Sequence, residues 1–383
     1  MEVDFIKTIL KDLESKGLKR SMREMNSSQN RKIIVDGKEV LNFCSNNYLG
    51  LADDPRLAQA AIESLKKEGF GSGASRLVCG NMNAHVALEK KLAEFKGTEK
   101  CLVFSSGYMA NVGIISSLCG RGDIILGDKL NHASIIDGIL LSGAEFKRYP
   151  HCDMEALEGF LKNSQNYKKK LIVTDSVFSM DGDIAPLDKI VALARKYHCL
   201  VMIDEAHAFG VLGKNGKGAA EHLGLEKEID IQMGTLSKAA GSFGAYVCGS
   251  KDLVDFLANR ARSFIYTTAM PPSVAAASSA AIDIIKKEPQ RRAKLLANAQ
   301  YLKAGLQNLG FEVSSQTPII PILVKDSKMA VKFSKELFEQ GIFAQAIRPP
   351  TVPENTARIR VTVMATHSRE DLDLVLKAFR KLL

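Results

Sequence analysis

Four loops of this 383-residue chain carry side chains that could do chemistry. In "MGTLSKAAGSFG" (233–244), Lys238 lies among small and hydroxyl residues. A lysine in so crowded a setting loses its charge readily and becomes a nucleophile. A plain surface lysine is the competing reading. The glycines and alanines leave room for a flat ligand, and Thr235 and Ser237 offer hydroxyls to a phosphate. In "VMIDEAHAFG" (201–210), Asp204 closes an apolar run, which puts it at the carboxyl end of a strand, and His207 follows in the loop. A buried carboxylate there needs a cationic partner; a structural acid paired with Lys or Arg satisfies the same rule.

The other two loops are helix starts. "FSSGYMANVG" (104–113) puts Ser105, Ser106, Gly107 and Tyr108 where free backbone N–H groups can hold an anion such as a phosphate. Taken alone, an ordinary helix cap explains it equally well. In "DKLNHASIIDG" (128–138), His132 stands at a helix start, where a lone histidine is more often a cap than a catalyst. Together the four loops supply the parts that hold pyridoxal phosphate. Lys238 would bond the cofactor covalently. Asp204 would pair with the protonated ring nitrogen and keep the ring an electron sink. The helix start at Gly107–Tyr108, with Thr235, would hold the phosphate, and His132 would lie flat against the ring.

Residues 204–207 also spell DEAH, a string in which helicases hold Mg²⁺ for ATP hydrolysis. That chemistry needs a G-x-x-x-x-G-K-[ST] loop upstream. The nearest string, "GAYVCGSK" (244–251), has Ser250 in place of the lysine and lies downstream. "GFGSGAS" (69–75) fails the dinucleotide pattern, with no long apolar strand before it. The helicase reading is therefore remote.

The elements around these loops alternate. A first amphipathic helix with Phe5, Ile9 and Leu13 on one face precedes a hairpin turning at Asp36-Gly37. Helices at 55–67 and 83–95 lead into strand "KCLVFSS", and strands then alternate with helices through "IQMGTL" and "GAYVCG". Several strands are wholly apolar, the mark of a mostly parallel sheet covered on both faces. From about 273 a long helical stretch opens a smaller α+β unit with strands "PIIPILV", "FAQAI" and "RIRVTV". The expected division is residues 1–45 for the N-terminal helix and hairpin, 46–285 for the large domain and 286–383 for the small one. In open α/β sheets, ligands bind beyond the carboxyl ends of the strands, where all four loops fall.

Composition narrows the partners. The net charge of +9 suits a polyanionic small molecule as well as nucleic acid. The basic residues are scattered, however, and the chain has no Trp, which weakens base stacking. The clusters at 168–170 and at 286–294 read as solvated helix ends or loops. The seven cysteines are spread singly and read as reduced, mostly buried thiols of a cytoplasmic protein. The run Tyr149–Asp153 contains His151 and Cys152, but no second His/Cys pair has matching spacing, so no metal is expected. The start of the chain has neither the apolar segment of a signal peptide nor an Arg-rich leader. No run is long and apolar enough to span a bilayer.

The motifs as a set resemble the α-oxoamine synthases, fold-type I pyridoxal-phosphate transferases with a seven-stranded sheet and a small C-terminal domain. The resemblance covers essentially the whole chain. It includes "NFCSNNYLGL" (42–51), "GSGASRLVCGN" (71–81), "TDSVFSMDGDIAPL" (174–187), "DEAHAFGVLG" (204–213), "GTLSKAAG" (234–241) and "YTTAMPP" (266–272). It implies that Ser179 and His207 contact the cofactor's phenolic oxygen. Thr267 and Thr268 would reach the phosphate of a second subunit, making a homodimer with shared sites. Arg360 would clamp the amino-acid carboxylate, and Arg20 and Thr351 would touch substrate or product. The stretch "AIRPPTVPENTARIRVT" (346–362) resembles the branch that condenses L-alanine with a pimeloyl thioester for biotin synthesis. The acyl group would arrive on coenzyme A or on a carrier protein. The alternative is the glycine-using branch, which takes acetyl-CoA, or another member of the family.

Overall fold

The computed structural model describes residues 4–382; residues 1–3 and 383, placed by the sequence reading in the two terminal segments, lie outside the described residues. The chain divides into two compact units, one formed by Leu51–Ser179 and Ile184–Arg292, the other by the residues up to 50, Met180–Asp183 and Ala293 onward.

The chain begins in the second of these with α1 (Asp4–Ser15), β1 (Lys32–Val35) and β2 (Lys38–Asn42). The strands pair antiparallel, Val35 opposite Lys38. Asp36 and Gly37 both take positive φ (49° and 79°), the backbone that a tight two-residue hairpin requires.

The larger unit follows as α2 (Pro55–Glu68), α3 (Asn83–Lys96), β3 (Lys100–Phe104), α4 (Gly107–Leu118), β4 (Ile124–Asp128), α5 (Ala133–Ser142), β5 (Glu145–Tyr149), α6 (Met154–Lys162), β6 (Lys170–Asp175), α7 (Leu187–Tyr197), β7 (Leu200–Asp204), α8 (Ala219–Leu223), β8 (Ile231–Thr235), β9 (Ala245–Gly249), α9 (Lys251–Arg260), α10 (Arg262–Ile265) and α11 (Pro272–Lys287). Its sheet has seven strands in the order β3-β9-β8-β7-β6-β4-β5. Only β9 runs against the others, pairing antiparallel with both β3 and β8. Every residue of β4, β8 and β9 is buried, as strands covered on both faces must be. Ile114, Ile115, Ile125, Ile139, Val173, Met202 and Val247 form the core between sheet and helices. The parallel strands β4, β6, β7 and β8 end at Asp128, Asp175, Asp204 and Thr235, so four polar side chains fall on one edge.

Three helices of this unit were not read from the sequence. α8 has only five residues, and α10 only four. α9 is longer and carries a recognisable start, because Ser250 accepts the Leu253 N–H.

The chain ends with α12 (Pro289–Asn308), β10 (Ile319–Lys325), α13 (Ser327–Glu339), β11 (Ile342–Phe343), β12 (Gln345–Ile347), β13 (Ala357–Thr362) and α14 (Arg369–Arg380). The long helical stretch is thus two helices, broken at Glu288 before Pro289, whose ring cannot continue a helix interior. β10, β13 and β12 form one antiparallel sheet, and β11 joins the hairpin by pairing parallel to β2. Leu302, Leu306, Ile320, Ile359, Val361, Val375 and Phe379 pack with Phe43 into this unit's own core.

Two expectations need correction. Arg292 is not on a solvated face: it is buried, and its guanidinium donates to the carbonyls of Ile285 (2.6 Å) and Lys214 (2.8 Å). Of the seven thiols, all free, only Cys101, Cys119 and Cys248 are buried; Cys79 is exposed and the other three are half-buried. No described helix is long and apolar enough to cross a membrane.

Candidate active site

The larger unit builds the site from loops at the carboxyl edge of its sheet. Asp204 ends β7 and is almost wholly buried. Its Oδ1 accepts the Ala206 N–H (2.8 Å), and its Oδ2 accepts the Asn111 side-chain amide (2.8 Å). Both of these donors are neutral N–H groups. A buried carboxylate held only by neutral donors is suited to a ligand's N–H⁺.

The same amide of Asn111 donates to Ser134 Oγ (2.9 Å), and that hydroxyl lies 2.8 Å from His132 Nδ1. Asp204 and His132 are therefore joined through two neutral side chains. His132 caps α5, its Nδ1 accepting the Ser134 N–H (3.3 Å), which leaves the proton on Nε2. Its backbone N–H donates to Asp175 Oδ2 (2.7 Å). Protein crowding on its inner side pulls the imidazole's pKa down; Lys238's charge adds to the effect and Asp204's opposes it. Both charges also reach Asp175. His132, Asp175, Asp204 and Lys238 thus share one electrostatic environment.

Lys238 lies half-buried in the loop after β8. Its carbonyl accepts the Gly241 N–H (2.9 Å), and Ser242 anchors the loop by accepting from Ser278 Oγ of α11 (2.8 Å). Gly241 has φ +62°, and a Cβ there would come within 2.4 Å of the Ala52 nitrogen, so only glycine fits. Thr235 is buried and its hydroxyl is already committed, donating to Gly244 O (2.8 Å); Ser237 is exposed. At α4, Ser106 accepts the Met109 N–H, while the first-turn N–H groups of Gly107 and Tyr108 have no acceptor within the helix. Tyr108 itself is half-exposed and donates its hydroxyl to Asp137. These groups fit pyridoxal phosphate: an amine, a cation-seeking acid and a phosphate cradle in one unit.

The model for the aminotransferase class I and II family matches residues 38–379. The chain belongs to this family. Curated relatives place this aminotransferase-family chain in the α-oxoamine synthase branch. It is 51% identical to 8-amino-7-oxononanoate synthase of Geobacter sulfurreducens, over 97% of this chain and 96% of that one. It is 50% identical to the enzyme of that name from Thermoanaerobacter pseudethanolicus, over 99% and 97%. Among solved structures, SPT with PLP internal aldimine superposes with a TM-score of 0.94 at 33% identity, covering 99% of this chain and 96% of that one. The 8-amino-7-oxononanoate synthase of Francisella tularensis superposes at 0.78 with 32% identity, covering 89% and 97%.

Within this family member, the remaining candidates are placed as follows. His207 is buried in the turn after Asp204, and Ser179 is half-buried. Thr267 and Thr268 follow α10, Thr268 exposed. In the other unit, Arg20 donates to Thr351 Oγ1 (2.9 Å), so two residues proposed for one task do meet. Arg360 is buried in β13 and donates to Asn46 Oδ1 (3.1 Å).

Asn111 and Asp175 were not among the sequence candidates. Asn111 left a signal, as a polar residue in the otherwise apolar "MANVGII" of α4. Glu205, the remaining acid of the DEAH string, also acquires a role. It is fully buried, binds the Lys96 ammonium and accepts the Ala220 N–H (2.9 Å) at the start of α8. Lys96 in turn donates to Lys217 O. Glu205 is thus a buried tie that braces the turn carrying Asp204 and His207.

Proposed function

We propose that this α-oxoamine synthase condenses L-alanine with a pimeloyl thioester, of coenzyme A or a carrier protein, and releases 8-amino-7-oxononanoate, the thiol carrier and CO₂. The observation that carries this reading is the near-full-length likeness to curated synthases of that name. Bound pyridoxal phosphate supplies an electron sink for the charge that develops on the amino acid's α-carbon.

The chain's own residues do the rest. Lys238 Nζ would hold the cofactor and would serve as the base that takes the amino acid's α-proton. Asp204 keeps the ring nitrogen protonated from its buried, donor-lined position. The N–H groups of Gly107 and Tyr108 would hold the phosphate, and Thr235 would join them by turning its hydroxyl proton from Gly244 O to the phosphate. His132 would lie against the ring and polarise the thioester carbonyl. His207 and Ser179 contact the phenolic oxygen. Arg360 grips the alanine carboxylate with two parallel N–H donors, and Arg20 and Thr351 contact substrate or product. Thr267 and Thr268 reach the phosphate in a second copy of the chain, so the working form is a homodimer.

Lys238→Ala tests the assignment. The variant is expected to keep its thermal unfolding midpoint and lose condensation altogether; retained turnover would refute the role of Lys238.

A further inference from the structure

We propose that Asp128, His151 and Cys152 form a binding site for a thiophilic divalent cation of the zinc class. The sequence supplies only the neighbours His151 and Cys152, just past the end of β5. The parallel pairing of β4 with β5 sets Asp128 opposite Tyr149 and so brings a third ligand type to them. His151 Nδ1 lies 3.0 Å from Asp128 Oδ1, and Cys152 Sγ lies 3.7 Å from His151 Nε2 and 3.8 Å from Nδ1. One ligand atom from each residue falls within 4.8 Å of the others. Tetrahedral zinc, with bonds of about 2.3 Å to sulfur and about 2.0 Å to nitrogen and oxygen, separates its ligands by about 3.3–3.6 Å. The separations from His151, 3.0 Å to Asp128 and 3.7–3.8 Å to Cys152, lie close to that spacing, and the third is at most 4.8 Å. Mixed sulfur, nitrogen and oxygen donors favour zinc over magnesium or calcium.

The surroundings suit a cation. The Asp128 carboxylate is buried and oriented by the N–H groups of Leu130 (2.8 Å) and Cys152 (2.8 Å). The His151 ring is fixed edge-on against Phe178. His151 and Cys152 are only half-buried, which leaves an entry path and room for a fourth, solvent ligand. Cys152 also holds φ +54°, a backbone that Asn adopts far more easily than Cys. The site does not depend on the proposed condensation.

The test uses the enzyme with its cofactor bound, reduced and stripped of metal by a chelator, then titrated with Co²⁺. The difference spectrum is expected to show about one Co²⁺ per chain with a sulfur-to-metal band, displaced by Zn²⁺. Cys152→Asn suits the left-handed backbone and is expected to fold normally, lose the sulfur band and weaken Zn²⁺ binding at least about tenfold. His151→Gln is expected to weaken it similarly. Absence of a sulfur band in the parent, or a band that survives Cys152→Asn, overturns the site.

Discussion

Asp175 and Asp204 occupy facing positions at the carboxyl ends of the paired strands β6 and β7. Burial, and then the charge of Asp204, push the Asp175 carboxyl well above the usual carboxylate range. The folded protein therefore holds a proton on Asp175 at pH values where the unfolded chain has lost it. Stability from this group is fully present below the ordinary carboxylate range. It falls as pH climbs from there towards the raised value. Asp175→Asn mimics the protonated acid and can still accept the His132 N–H. Its stability should be flatter with pH, gaining on the parent by about 1.4 kcal/mol per pH unit across that window. Chemical unfolding at a series of pH values checks this; parallel curves would disprove the raised carboxyl.

Asn111 joins Asp204 to Ser134 through one amide. Asn111→Ala removes a buried hydrogen bond to a charged group, a loss of about 1.5–3 kcal/mol. Cofactor retention should weaken by roughly 10- to 100-fold, because Asp204 loses the donor that aims it. Equilibrium dialysis against pyridoxal phosphate measures the loss. Unchanged retention would mean that Asp204 is positioned by its backbone contact alone.

The Lys96–Glu205 pair predicts an asymmetry between single and double variants. Both side chains are buried, and Lys96→Met strands the carboxylate, which should cost about 3–5 kcal/mol. Replacing both with apolar residues of similar volume, Lys96→Met with Glu205→Leu, should recover much of that loss. Calorimetric unfolding of the three proteins decides it. A double variant no more stable than Lys96→Met would show that Glu205 matters mainly through the Ala220 N–H.

Much of this was legible in the sequence, for a physical reason. Lys238, Asp204, His132 and Gly107 each sit where a strand gives way to a loop or helix, and that transition shows in local hydrophobic periodicity and turn residues. What binds them together was not legible. Asn111 reaches Asp204 across 93 positions, and Lys96 reaches Glu205 across 109, pairings created only by the order of strands in the sheet. Asp128 meets His151 for the same reason. Arg292 was misread because a basic run looks solvated until the carbonyls that receive its guanidinium are seen.

Coenzyme A release is the most direct measurement of the central claim, compared for pimeloyl-CoA with L-alanine and acetyl-CoA with glycine. The account predicts faster turnover of the alanine pair, with 8-amino-7-oxononanoate as product. Faster turnover of the glycine pair, or no 8-amino-7-oxononanoate from L-alanine with either pimeloyl-CoA or pimeloyl carrier protein, would contradict it.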